Sequence, residues 1–242
     1  MIDDGIGLNP ARGILTEPEI AALVERTLAH GGVVSYKSNP DGTQSPYELN
    51  INYFDALSNP DAGEQEQVQV DRFMTAQAIM LSMAGVPGIY FHSLFGSRGW
   101  PEGVRLTGRN RTINRQKLER FTLERELRQP ESRRGQVFER YSKMLKVRAA
   151  RPAFHPNGGQ EIIDCGEAVF TLLRVSPDSN QRVLCLYNIS NQVQTVHLNW
   201  QALFEQASIR LVDLLSNQSF DLHPGDRWIL QPYQVNWLEC KY

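Results

Sequence analysis

One change of texture constrains this chain more than any single motif. Up to Arg151-Pro152 the apolar residues recur mostly at helical spacing, and from Glu161 onward they fall into short β-rich runs. In the first stretch, Thr16-Glu17-Pro18-Glu19 combines an N-cap, an early proline and a capping-box glutamate, and Ile20, Leu23, Val24, Thr27 and Leu28 follow on one helical face until Gly31-Gly32. Val33–Tyr36 reads as extended, Asn39-Pro40-Asp41-Gly42 as a turn, and Lys37–Pro46 as a loop. A second helix is expected from about Val68 to Ala84. Ile89-Tyr90-Phe91 then suits a buried parallel strand, Phe95–Arg115 carries loop chemistry, and Val137, Tyr141, Met144, Leu145 and Arg148 mark a third helix.

The second stretch contains strand-like runs at Ala168–Val175, Arg182–Ile189, Ile209–Leu214 and Gln234–Glu239, which predicts a small antiparallel domain, a sandwich or curved sheet. The first stretch fits the last strand–helix units of an α/β barrel. A complete eightfold barrel needs about 200 residues or more, and this stretch has room for about two of its strands. The expected fold is therefore α/β: a C-terminal fragment of a (β/α)8 TIM barrel over residues 1–152, followed by an all-β antiparallel C-terminal domain over 153–242. Trp200, Phe204, Trp228, Tyr233 and Trp237 have two readings, as core of that β domain or as rings that stack on sugars in a carbohydrate-binding module. Alternation around Val235 and Trp237 favours core.

A formal charge of −2 over 242 residues gives no general attraction to nucleic acid. No apolar run approaches the roughly 18 residues of a membrane span, and neither a basic nor an apolar leader segment follows Met1, so the expected location is cytoplasmic. Cys165, Cys185 and Cys240 are widely spaced without a CxxC pair, which argues for buried thiols rather than disulfides or zinc. His30, His155, His197 and His223 lack metal-ligand spacing, and His92 beside Tyr90-Phe91 reads as a core histidine. No metal site is expected. Positive charge concentrates instead in one glycine-rich stretch, with Arg98, Arg105, Arg109, Arg111 and Arg115 and only Glu102 among them. Guanidinium forks match phosphate and carboxylate oxygens, so this stretch is a candidate oxyanion site; for Arg98, Arg105 and Arg109 the competing reading is surface charge or loop pinning.

Four segments together carry a resemblance: Asp4-Gly5-Ile6-Gly7, Tyr47–Leu57 (YELNINYFDAL), Ile89–Ser97 (IYFHSLFGS) and Arg111-Thr112-Ile113-Asn114-Arg115. In this order and spacing the chain resembles the sucrose phosphorylase subfamily of the α-amylase superfamily, of the sucrose or glucosylglycerate phosphorylase kind. Phe138–Pro156 and Pro232–Leu238 extend the likeness over nearly the whole chain. It implies a retaining double displacement in which an aspartate attacks the sugar, a glutamate protonates the leaving group and inorganic phosphate accepts the glucosyl unit. No organic cofactor is implied; phosphate is a co-substrate.

The resemblance also implies roles for particular residues. Asp4 matches the carboxylate that steadies the oxocarbenium-like transition state, although Asp3 stands where the family pattern has a sugar-binding histidine. Tyr47 and Glu48 fall in the segment lining the acceptor side. Glu48 replaces a family glutamine, which shifts the expected acceptor from fructose toward a small anion such as glycerate. Lys37 is either the partner of that anion's carboxylate or a solvated surface lysine, and Arg111 with Arg115 would bind phosphate or glucose. Retaining chemistry needs two carboxyl groups about 5–5.5 Å apart. Neither Asp3 with Asp4 nor Glu48 with Asp55 is expected to supply them. The chain alone is thus expected to be inactive and to need the missing N-terminal half or to self-associate through exposed barrel surfaces; the rival readings are a non-catalytic relic or binding module and, among enzymes, an α-glucosidase or transglucosidase of the same superfamily.

Overall fold

Helix α1 (Glu17–Ala29) begins as its sequence dictates. The Thr16 side chain accepts from the Glu19 backbone N–H, the Glu19 carboxylate accepts from the Thr16 N–H at 2.7 Å, and Pro18 occupies the first turn, where its missing N–H costs nothing. The computed structural model describes residues 5–204, 209–223 and 225–240. Its contacts gather into two units, one holding Gly88–Phe138 and the residues up to Val70, the other Asp71–Pro87 and the residues from Glu139.

In the first unit, β1 (Ile6–Gly7), β2 (Val33–Ser38) and β3 (Gln44–Asn50) form an antiparallel sheet in the order β1-β3-β2. The segment expected as a loop over Lys37–Pro46 is shorter than that. Strand pairing runs to Ser38↔Gln44, and Gly42 takes the positive φ (+84°) that lets the chain reverse. Leu49 and Ile51 pack with Ile20 and Leu8 into a small core that Val34, Leu23 and Val24 border. Short helices α2 (Tyr53–Leu57) and α4 (Phe91–Leu94) follow, with the longer α3 (Glu66–Ser82) between them.

Two expectations fail here. Ile89-Tyr90-Phe91 is not a strand: Tyr90 is the N-cap of α4, and Phe91 is already helical and 54% exposed. A short apolar run reads the same in a buried strand and a helical turn, and neighbouring strands decide between them. Nor is Phe95–Arg115 all loop, since it contains α5 (Pro101–Thr107), ended by Gly108 in the left-handed region, and a 3-10 turn at Asn110–Asn114. Helices α6 (Arg120–Leu127) and α7 (Arg133–Ala149) complete the helical part.

The second unit is built on a six-stranded antiparallel sheet of order β4-β5-β6-β11-β8-β9, where β4 is Gly159–Ile162, β5 Val169–Val175, β6 Arg182–Asn188, β8 Ile209–Asp213, β9 Ser219–Leu222 and β11 Val235–Cys240. Strands β7 (Gln194–His197) and β10 (Arg227–Leu230) form a separate ribbon. That ribbon and helix α8 (Trp200–Phe204) share one hydrophobic cluster with the sheet, including Leu184, Leu186, Val196, Trp200, Trp228 and Leu238. The other side of β6 is covered too. Cys185 and Tyr187 are wholly buried, and Trp237, opposite Cys185, donates through Nε1 to the Tyr187 hydroxyl at 2.9 Å. Trp200, Phe204, Trp228, Tyr233 and Trp237 are all buried, so none of these rings offers an open face to a sugar.

Two arginines bond backbone carbonyls at helix ends within this unit. Arg174, fully buried, donates to the carbonyls of Ala153 (3.2 Å) and His155 (2.7 Å), and Arg148 donates to those of Leu81 and Gly85, the latter at 2.8 Å. Among the described residues no helix is long and apolar enough to cross a membrane.

Two outcomes follow from this packing. Thr16→Ala removes a cap worth about 1 kcal/mol and lowers the denaturation midpoint accordingly. Complete burial pushes the Cys185 thiol up to about 12, so it carries no thiolate near neutrality. Iodoacetamide at pH 8 is expected to label the partly exposed Cys165 and to spare Cys185 until denaturant opens the sheet. Equal labelling rates in the folded chain would refute this account of β6.

Candidate functional site

The hairpin of β2 and β3 sorts its residues by parity. Leu49 and Ile51 face the α1 side, while Glu48 and Asn50 face the turn at Asn110–Asn114, where Glu48 Oε2 accepts from Arg111 Nε at 3.0 Å. Strict alternation would put Tyr47 with Leu49. The register prevents that: Ser35 pairs with Glu48 and Tyr36 with Pro46, so Tyr47 is an extra residue without a partner on β2. A bulge of this kind re-aims a side chain, and Tyr47 lines the same depression as Ser35. Its carbonyl stays bonded, accepting from Leu8 N–H at 2.9 Å.

The opposite wall comes from Thr107–Thr112 with Arg115, and the open depression between the walls has a volume of about 740 Å³. Several bonds hold this wall in place. Trp100 N–H donates to Ile113 O at 2.7 Å, the hydroxyls of Thr107 and Thr112 meet at 2.8 Å, and Asn110 Nδ2 reaches Ser35 Oγ at 3.2 Å. The stretch is anchored from behind by Asp55, whose carboxylate accepts from Arg98 Nη1 and from Gly99 N–H, both at 2.7 Å. Arg98 also bonds Gln69 and lies 5.1 Å from the centre of the Phe54 ring. Burial raises the Asp55 carboxyl above its ordinary range, a shift that Gly99 N–H and Arg98 oppose.

The sequence candidates therefore separate. Tyr47, Arg111 and Arg115 line one depression, and Arg109, exposed, lines it with them. Glu48 is 8% exposed and reaches the site through Arg111. Lys37 is exposed on β2, paired in register with Ser45, and is not among the lining residues. Asp4 lies outside the described residues. Arg98 pins its loop, and Arg105 bonds Glu102 on the surface. His92 is buried, with Nδ1 3.1 Å from Ser97 Oγ, and burial lowers its pKa. Among the described residues, no group of three His, Cys, Asp or Glu side chains gathers in a way that holds a metal ion.

Sequence reasoning missed Ser35, Asn110 and the two threonines. Each takes its place from a partner dozens of residues away or from a turn, and nothing in the linear pattern marks it.

Comparison with known proteins places this geometry in context. No family model matches the chain. It is 48% identical over 207 residues to a glucosylglycerate phosphorylase of Spirochaeta thermophila, covering 86% of this chain and 34% of that protein. It is 39% identical over 236 residues to the glucosylglycerate phosphorylase of Escherichia coli, covering 98% and 40%. A sucrose 6(F)-phosphate phosphorylase of Ilumatobacter coccineus is 30% identical over 146 residues, covering 59% and 25%. The chain thus spans between about a third and two fifths of the glucosylglycerate phosphorylases it matches, in their C-terminal part. Among solved structures, the sucrose 6F-phosphate phosphorylase of Thermoanaerobacter thermosaccharolyticum superposes with a TM-score of 0.61 at 21% identity, over 94% of this chain and 39% of that one. An α-amylase of Geobacillus thermoleovorans gives 0.60 at 14% identity, over 79% and 37%. These likenesses fix the fold: the C-terminal part of a (β/α)8 barrel enzyme with its antiparallel β domain.

The Asp55 anchor generates a stability prediction. Asp55→Ala strands a half-buried guanidinium and a backbone N–H and is expected to cost about 3–5 kcal/mol, measured by urea denaturation. A loss under about 1 kcal/mol would show that the loop does not depend on it.

Proposed function

Since the chain belongs to the sucrose and glucosylglycerate phosphorylase group of the α-amylase superfamily and corresponds to the C-terminal part of its relatives, we propose that it is part of a retaining α-glucoside phosphorylase. The parent protein reversibly converts an α-glucoside and inorganic phosphate to α-glucose 1-phosphate and a free acceptor, with glucosylglycerate preferred to sucrose as donor. The observation that carries this reading is the convergence of Arg109, Arg111, Arg115 and Tyr47 on one open depression. Planar guanidinium groups bind phosphate and carboxylate oxygens in pairs, and a phosphorolytic site must hold such an anion beside a sugar.

In this reading residues 1–152 are the closing part of the barrel and 153–242 its β domain, and the protein works in the cytoplasm. Tyr47 packs against the acceptor and closes its side of the site. Glu48 tunes that side through Arg111, Lys37 at the hairpin rim meets an incoming carboxylate, and Asp4 stabilises the positive charge that develops on the sugar. Glu48 and Asp55 are engaged by Arg111 and Arg98 respectively, which supports the view that they are not the reacting pair. The nucleophile and the acid/base carboxylate lie in the N-terminal part that the relatives possess, and the 242 residues alone do not turn over. Ile14, Val86, Leu106 and Phe121, at 70% exposed or more, fit surfaces that the missing part or a second copy covers.

The test is phosphate-dependent release of glucose 1-phosphate from glucosylglycerate and from sucrose, by this chain alone and with the N-terminal part restored. Turnover is expected only on restoration, with a difference of at least about 10³-fold, because catalytic groups act as a unit. Turnover by the 242 residues alone would overturn the assignment of the carboxylates. Free glucose released without phosphate would make the parent a hydrolase.

A further inference from the structure

Ser35 Oγ sits where two amide groups converge. Asn50 Nδ2 donates to it at 2.8 Å and Asn110 Nδ2 at 3.2 Å. The orientation of each amide is set independently of the serine. Asn50 Nδ2 also lies 3.4 Å from the Glu48 carbonyl oxygen, and Asn110 Nδ2 lies 3.4 Å from that of Val34. Turning either amide over would set its oxygen against a carbonyl oxygen, where no proton is available to join them. Both amides therefore donate, and a hydroxyl has two lone pairs and one proton. With both lone pairs engaged, the Ser35 proton must point away from the two asparagines, and Ser35 lines the depression that Arg109, Arg111 and Arg115 share. Asn50 is wholly buried, and its Oδ1 meets no partner among the described residues. That amide satisfies its donor side at the expense of its acceptor side, and the donor side is the one that fixes Ser35.

We propose that Ser35 is a ligand-binding residue whose oriented hydroxyl donates to an oxygen of a small oxyanion, phosphate or a carboxylate, held by the arginines of the same depression. The inference rests on reading that depression as the phosphate and acceptor site. It assigns to Ser35 what a guanidinium cannot supply, a single short donor whose direction is fixed before the ligand arrives. Asn50 and Asn110 are its positioning residues.

The experiment is calorimetric titration of inorganic phosphate, and separately of glycerate, into the 242-residue chain and its Ser35→Ala, Ser35→Thr and Arg111→Ala variants, each with a thermal melt. The expected result is that at least one anion binds the unaltered chain, that Ser35→Ala weakens it about tenfold, and that Ser35→Thr, which keeps the hydroxyl, restores it. The anion that responds identifies the source of the oxygen. If Arg111→Ala weakens binding and Ser35→Ala does not, the depression stands as the site and the role of Ser35 is overturned. Equal weakening by both serine variants with a matching drop in melting temperature also overturns it, because the effect is then structural. Should neither anion bind, or should Arg111→Ala leave binding unchanged, the reading of the depression falls and the serine with it.

Discussion

A buried carboxylate holds the working part of the first unit in place. Asp55 sits at the centre of a short helix, bonds Arg98 and Gly99 N–H through its side chain, and accepts from His30 through its backbone oxygen at 2.7 Å. Desolvating a carboxylate is costly, and a buried ion pair often gains little net stability over an apolar substitute. What it gains here is position. The segment that begins at Arg98 must run past α5 and return at Asn110–Arg115 with its arginines beside the hairpin, and glycine-rich backbone has no preference of its own for that path. A bidentate anchor at its start restricts the path before any ligand binds.

The second unit solves a similar problem with the opposite sign. Arg174 and Arg148 use their donors on carbonyl oxygens at helix ends, those of Ala153 and His155 at the 3-10 turn Pro152–Phe154 and those of Leu81 and Gly85 in and just past the last turn of α3. Burial lowers the pKa of both guanidinium groups, though a guanidinium remains charged in any protein interior. The central strands β6 and β11 are buried on both faces, and there Trp237 and Tyr187 bond one another. Rings that look like sugar platforms when counted along the chain are spent on this closure.

How much of this was legible in the sequence depended on the range of the interaction that decides each element. The capping box at Thr16 and the glycine turn at Gly42 are local, and both formed as their residues require. Strands β5, β6, β8 and β11 declared themselves through alternation and turn residues, and their observed ends fall within a residue or two of the expected ones. Ile89-Tyr90-Phe91 failed because three apolar residues carry no period. The arginine-rich stretch was recognisable as a charge cluster, and its neighbours in space were not. Arg98 and Arg111 look alike in sequence and each pairs with a buried carboxylate far along the chain, Asp55 and Glu48, yet Arg111 also lines the open depression and Arg98 does not. The family likeness singled out Tyr47 and Arg111, and no local signal singled out Ser35.

The unpaired Tyr47 divides the hairpin into two segments with opposite phase. On the Asn50 side, alternation is locked to the core through Leu49 and Ile51. On the Gln44 side, the phase is reset, and Lys37, Ser45 and the turn beyond them obey a parity of their own. Substitutions near the turn therefore leave the buried half undisturbed, whereas an insertion or deletion across the bulge would exchange inside for outside along β3. Such a joint lets the rim of the hairpin vary under selection for different partners while its root, and the guanidinium that the root holds, stays the same.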